Sequence, residues 1–267
     1  MIHPTAVVHA GARLGQGVEV GPFVVIDENV IVGDGCRLGP GVYLTGHTTI
    51  GRENQIHAGA VLGDAPQDLK YRHEPTRLII GDRNVFREHV TVHRSAKLEE
   101  ATEIGSHCLL MAGSHVGHNC RLGDHVILAN GALLGGHVRV EDRVFISGNC
   151  LVHQFVTIGT LAMMQGGAGI SQDLPPFCVV AGVNELCGLN TVGLRRAGIS
   201  SEQRLELRRV YQALFRRSGR LRDAVAGLDA DSLGEPARRL LEFVSASKRG
   251  VCSARHRASA PTDATAG

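Results

Sequence analysis

Thirteen of the 14 histidines precede residue 190. Three of them, His118, His137 and His153, recur at intervals close to 18 residues. Gly136 and Gln154 follow His118 at equal steps of 18. Such a set supports two chemistries. A neutral imidazole is a general base near physiological pH and can take the proton from a hydroxyl as that hydroxyl attacks a thioester. A backbone N–H at Gly136 would then stabilise the oxyanion. Alternatively, three imidazoles hold a catalytic zinc ion with one position left open for water. Both require that residues 118, 136 and 154 be neighbours in space, which makes the surrounding architecture decisive.

The architecture shows as a period of six. Stepping from Ile2 passes through Val8, Leu14, Val20 and Ile26 to Leu62, and the same register runs from Ile80 through Phe86, Val92, Leu98, Ile104 and Leu110 to Ile170. Of 29 positions only Asp68 and Glu74 break it. Neither a 3.6-residue helix nor a two-residue strand alternation has this period, whereas a solenoid with six-residue sides does. Three sides make a coil of 18 residues, with the aliphatic residue pointing inward. At about 4.8 Å per coil the prism is about 45 Å long. Residues 18 apart stack, so His118, His137, His153 and Gln154 line one edge across three coils, with His137 on Asn119. His115 is close in sequence, but its direction is not fixed by the register. No histidine falls on the inward series, so none is expected in the core.

Residues 63–79, polar and holding Pro66 and Pro75, read as a loop thrown out from the prism, and long loops on a rigid scaffold commonly carry function. A shorter excursion is expected at Ser95–Glu103. After Ile170 the period ends, and Pro175 and Pro176 mark a boundary. Helices are expected over about 201–218, where Leu205, Val210, Leu214 and Phe215 approach helical spacing, and over 221–228 and 234–247. Ser200 and Gln203 have the spacing of a capping box. The expected division is therefore 1–190 for the β-helix, 191–252 for a small α-helical domain, and a disordered Ala/Ser/Thr-rich tail over 253–267.

Formal charge is −5 before residue 190 and +7 after it. A basic surface attracts acidic partners, and a solvated helical face explains it equally. Seven cysteines without a Cys-x-x-Cys pair suggest neither a disulfide framework nor a thiolate zinc site, which fits a reducing cytoplasm. No signal-like start and no run of transmembrane length are present, so a soluble cytoplasmic protein without membrane insertion is expected.

The segments QDLKY at 67–71, EPTRLIIGDRN at 74–84, HVTVHR at 89–94, ILANGALLGGHV at 127–138 and VHQF at 152–155 resemble the UDP-N-acetylglucosamine 3-O-acyltransferase family. The resemblance runs from about residue 1 to 249 and includes NTVGLRRAGIS at 190–200. It implies a left-handed parallel β-helix of the hexapeptide-repeat kind, mainly β, with a small helical C-terminal part. It also implies a homotrimer and transfer of an acyl group, often 3-hydroxylated, from acyl carrier protein to the glucosamine 3-position, without metal or cofactor. His118 matches the family's base and Gly136 its oxyanion donor, with Asn119 beside the base. Gln67, Asp68, Lys70, His93, His115, His137, His153, Gln154, Asn190 and Arg196 match positions lining a substrate cleft between subunits. Met163 and Gly166 match the region that measures acyl length, while ordinary packing explains Met164.

Three positions depart from the family pattern. Asn119 stands where Asp is usual, and an amide orients an imidazole without compensating its charge. Val192 replaces an acidic residue and Ala197 the second of two basic ones. Under the resemblance, Arg204, Arg208, Arg209, Arg216 and Arg217 would guide docking of the acidic carrier protein. Nucleic acid is a weaker reading, because no aromatic residues are interleaved for stacking. The alternatives are a metal-dependent hydratase of the carbonic-anhydrase type on the same prism, and a catalytically impaired trimeric scaffold in which Asn119, Val192 and Ala197 record lost function.

Overall fold

A computed structural model describes residues 1–216 and 219–254. Short strands, most of two residues, follow one another at six-residue intervals from Val7–Val8 to Gly169–Ile170 and stack into three parallel sheets of nine, eight and eleven strands. The fold is a left-handed parallel β-helix followed by a small helical part. Every strand ends on the inward aliphatic residue of the sequence register, and residues such as Leu44, Leu62, Leu110, Leu128 and Ile146 have essentially no exposed surface. Full burial of one such side chain is worth about 1.5–3 kcal/mol, so these three columns of aliphatic residues are the main stabilising element.

Each corner of the prism needs a left-handed residue three positions after the inward one, and several are not glycine: Asn119 (φ 60°), His137 (φ 61°) and Phe155 (φ 67°) follow one another along one corner. Asn and His are among the L-residues that tolerate this region best. The corner thus selects residue types that also carry polar chemistry.

The two excursions displace the coil spacing. Leu62 pairs with Val92 across 30 residues and Val92 with Val116 across 24, instead of 18. The first loop therefore adds twelve residues to a coil and the second adds six. Because both are multiples of six, the register in the sequence runs through them unbroken. One expectation fails for this reason. Leu98 lies on the arithmetic series, yet it sits in the second excursion and is 50% exposed. That excursion also closes earlier than expected, since Ala101–Ile104 is already a strand.

Beyond Ile170 the chain forms an antiparallel hairpin, Cys178–Ala181 with Glu185–Leu189, that extends the eleven-stranded sheet. Helices α1 (Thr191–Arg196), α2 (Ser201–Phe215), α3 (Leu221–Ala226) and α4 (Glu235–Ala246) follow. Of these, the hairpin and α1 were not expected from the sequence. Ser200 and Gln203 form the capping box at the start of α2. The buried face of α2 is Leu207, Val210, Tyr211, Leu214 and Phe215; Leu205, expected on that face, is exposed. Ser253–Ala254 pairs in parallel with Glu185–Leu186, so the chain is ordered two residues past the expected start of the tail. The remainder of that expected tail, 255–267, lies outside the described residues. Asp173 ties the helical part to the prism: its buried carboxylate accepts from Thr157 N–H at 2.8 Å and from the Ser247 hydroxyl at 2.7 Å. All seven cysteines are free thiols, and Cys187 alone of them is exposed.

Candidate active site

A cavity of about 660 Å³ opens on the outer surface of the nine-stranded sheet. Its wall is a ladder of strands one coil apart, ending in His93, His115–Val116, Leu133–Leu134, Leu151–Val152 and Gly169–Ile170. Of the residues singled out in the sequence, Gln67, His93, His115, His118, Gly136, His153 and Gln154 line it together. Leu133, Leu151 and Val183 also line it, and all three are exposed apolar side chains that sequence reasoning missed. The available signal was Leu at two outward positions 18 apart, where the repeat elsewhere places polar residues.

His118 and Gly136 stand on successive coils, linked by the His137 N–H donating to the His118 carbonyl at 2.9 Å. A Cβ built on Gly136 would lie 2.7 Å from both Cε1 and Nε2 of His118, so only glycine admits the ring there. Among the described residues no acceptor pairs with the Gly136 N–H. Gly117 is demanded for a similar reason: its Cβ would come within 2.9 Å of the backbone at Gly135 and Gly136.

The other face of the imidazole is set by Asn119. His118 Nδ1 lies 2.9 Å from Asn119 Oδ1. The amide's orientation follows from its remaining partners. Oδ1 accepts from Ala96 N–H at 2.9 Å, while Nδ2 donates to Glu100 Oε2 and to Ser95 Oγ, each at 2.7 Å. An oxygen facing Nδ1 accepts only, so His118 carries its proton on Nδ1 and presents the Nε2 lone pair toward Gly136. The Asn119 backbone N–H donates to Thr102 Oγ1 at 2.8 Å, which completes a residue with every polar group satisfied.

The neighbouring imidazoles are held neutral. His115 is half-buried, bonds Thr91 Oγ1 at 2.7 Å, and is pushed down to about 4 by burial and then by His93 and His118. Burial likewise lowers His93 and His137. His93 is only 7% exposed, which corrects the expectation that no histidine is buried. It follows an inward residue rather than occupying one, and the twelve-residue loop covers it. His137 packs edge-to-face on His118 (5.2 Å between ring centroids) and stacks on Phe155 at 4.5 Å. It therefore stands behind the cavity instead of lining it.

The remaining candidates lie apart. Asp68 and Lys70 belong to the first excursion beside Gln67. Asn190 caps α1, accepting from Gly193 N–H and donating to the Leu161 carbonyl, both at 2.9 Å. Arg196 is exposed in the last turn of α1. Met163 and Gly166 sit on the eleven-stranded sheet side, where Met163 pairs with Phe145 and Val179, while Met164 is fully buried. For the zinc alternative, among the described residues no group of three or more His, Cys, Asp or Glu side chains converges as a metal site. No helix among them is long and apolar enough to cross a membrane.

Comparison with known proteins agrees with this geometry. The family model described as UDP N-acetylglucosamine O-acyltransferase, domain 2, matches residues 173–252, and that of the bacterial transferase hexapeptide repeat matches 29–64 and 101–136. An acyl-[acyl-carrier-protein]–UDP-N-acetylglucosamine O-acyltransferase of Anaeromyxobacter is 46% identical over 253 residues, covering 94% of this chain and 98% of the relative. The crystal structure of a UDP-N-acetylglucosamine acyltransferase from Bacteroides fragilis superposes with a TM-score of 0.90 at 36% identity, covering 94% of this chain and 99% of that one. The Campylobacter jejuni enzyme gives 0.90 at 32%, covering 96% and 100%. This chain belongs to the UDP-N-acetylglucosamine O-acyltransferase family.

Proposed function

We propose that the chain transfers a fatty acyl group from acyl carrier protein to the 3-hydroxyl of UDP-N-acetylglucosamine, the first step of lipid A biosynthesis, with His118 as general base. The observation that carries this reading is the His118 ring, whose Nδ1–H is held by Asn119 while its Nε2 faces the unpaired N–H of Gly136. The sugar hydroxyl gives its proton to Nε2 as its oxygen attacks the thioester carbonyl. The resulting oxyanion is stabilised by the Gly136 N–H. Collapse breaks the C–S bond, and the protonated imidazole returns its proton to the departing thiolate. Neutral His115 and His93 add no cationic competitor for the leaving group's electrons. Leu133, Leu151 and Val183 supply an apolar surface suited to an acyl chain.

Gln67, Asp68, Lys70, His137, His153, Gln154, Asn190 and Arg196 are assigned to the substrate cleft, and Met163 and Gly166 to acyl-length selection. These residues are divided between two faces of one prism, which is the arrangement a cleft between subunits requires, and this supports a homotrimer. Arg208 and Arg209 are exposed on α2 and suit an acidic carrier protein. Arg204 and Arg216 are engaged with the carbonyls of Ile199 and Cys187, and Arg217 lies outside the described residues. Free thiols support a reducing, cytoplasmic location.

The test is His118→Ala, assayed for transfer from acyl carrier protein to UDP-N-acetylglucosamine with assembly state measured in parallel. Loss of about 10²–10⁴-fold with the assembly intact is expected. Full activity would remove His118 as base.

A further inference from the structure

The base is oriented by a neutral amide, and an amide cannot balance the imidazolium that forms when His118 takes a proton. The hydrogen bonds continue one step further. Asn119 uses all four of its side-chain capacities: Oδ1 accepts from His118 Nδ1 and Ala96 N–H, and Nδ2 donates to Ser95 Oγ and Glu100 Oε2. Glu100 is the one carboxylate in this network. It lies in the second excursion, half-buried, with its other oxygen 3.1 Å from Lys97 Nζ.

We propose that Glu100 is a positioning residue for the transfer reaction, supplying through the Asn119 amide the negative charge that favours protonation of His118 during attack. The proposal rests on the assignment of His118 as base. Polarity along the chain is consistent at every link. The carboxylate accepts from Nδ2–H, which draws electron density away from the amide nitrogen's protons and strengthens Oδ1 as an acceptor from Nδ1–H. Developing charge on the ring is thereby met by a bond that tightens as the charge grows. The Lys97 ammonium holds the Glu100 carboxyl below the usual carboxylate range, so it is ionised wherever the enzyme works. Lys97 also partly offsets the charge, and Glu100 is part-exposed, so the effect on rate is modest. Replacing a charged by a neutral acceptor of the same shape is worth about three- to tenfold.

The same geometry predicts a reversal of sign. In the native protein, Asn119→Asp removes the Nδ2 donor and sets two carboxylates against each other at 2.7 Å, which costs both rate and stability. With Gln at 100, an Asp at 119 regains a donor and carries the charge itself.

The experiment measures kcat and KM for wild type, Glu100→Gln, Asn119→Asp and the double variant, with His118→Ala as reference. Expected are a three- to tenfold lower kcat for Glu100→Gln at unchanged KM for the nucleotide sugar, a lower kcat for Asn119→Asp alone, and a higher kcat when Asn119→Asp is added to Glu100→Gln. Lys97→Met separates charge from loop structure: it removes the ion pair, keeps the carboxylate, and leaves kcat at or above wild type. Wild-type kcat in Glu100→Gln overturns the proposal. So does an Asn119→Asp effect of the same sign in both backgrounds, or a loss in Lys97→Met equal to that in Glu100→Gln. If His118→Ala is inactive while Glu100→Gln is unaffected, only the role of Glu100 falls; if His118→Ala keeps its turnover, the base assignment falls and this proposal with it.

Discussion

His93 and His115 meet edge-to-face beneath the first excursion, with ring centroids 4.9 Å apart and planes at 78°. Two imidazoles this close, one of them buried, exclude protons that the unfolded chain would accept.

This contact makes stability depend on pH. The folded His115 titrates near 4, whereas an unfolded imidazole titrates near 6.5. Above about 6.5 both states are neutral and the full stability is present. As pH falls from about 6.5 toward 4, the unfolded state gains a proton that the folded ring refuses, and stability is lost at about 1.4 kcal/mol per pH unit for this ring. His93 and His137, lowered in the same direction, steepen the loss. Denaturant unfolding at pH 7.5, 6 and 5 measures the slope, and His115→Gln should flatten it by about one proton. An unchanged slope in the variant would contradict the neutral-cluster reading.

Gly136→Ala tests the close approach of His118. The substituted Cβ meets the ring at 2.7 Å, and the ring can retreat only by giving up its bond to Asn119. Misplacement of a catalytic group by about 1 Å costs about 10²-fold. Activity should therefore fall by at least that factor while the thermal midpoint changes little. Near-wild-type turnover would show that the ring has room to move and still react.

Leu98 and Leu110 occupy the same arithmetic register but differ in burial, at 50% and 0% exposure. Leu110→Ala opens a cavity in the prism and should cost about 2–5 kcal/mol. Leu98→Ser should stay within about 0.5 kcal/mol. Comparable destabilisation of the two would mean that the second excursion packs more tightly than its exposed surface implies.

The period of six made the inward columns legible from Val8 to Ile170, because a side length is written directly into residue spacing. The handedness was not: equal spacing describes either hand, and it came from family resemblance. The hairpin at Cys178–Leu189 was hidden for a related reason, since the period ends at Ile170 and two short mixed strands have no repeat of their own. Within the site, His118, Gly136 and Gln154 were found by counting in steps of 18. Glu100 was missed by the same rule. It reaches Asn119 across an excursion, where the coil spacing is 24 and counting by 18 points elsewhere. His93 was misjudged because burial by a covering loop leaves no mark on the register.

The bond from His137 N–H to the His118 carbonyl has a consequence for tolerance to change. His118 and Gly136 are neighbours along the stacking direction, so the gap between proton acceptor and anion donor is one rung of a β-ladder. That rung is set by the length of a peptide hydrogen bond, a constant of backbone chemistry, and not by the fit of side chains in the interior. The interior can therefore exchange one aliphatic residue for another over many generations while the working distance stays calibrated.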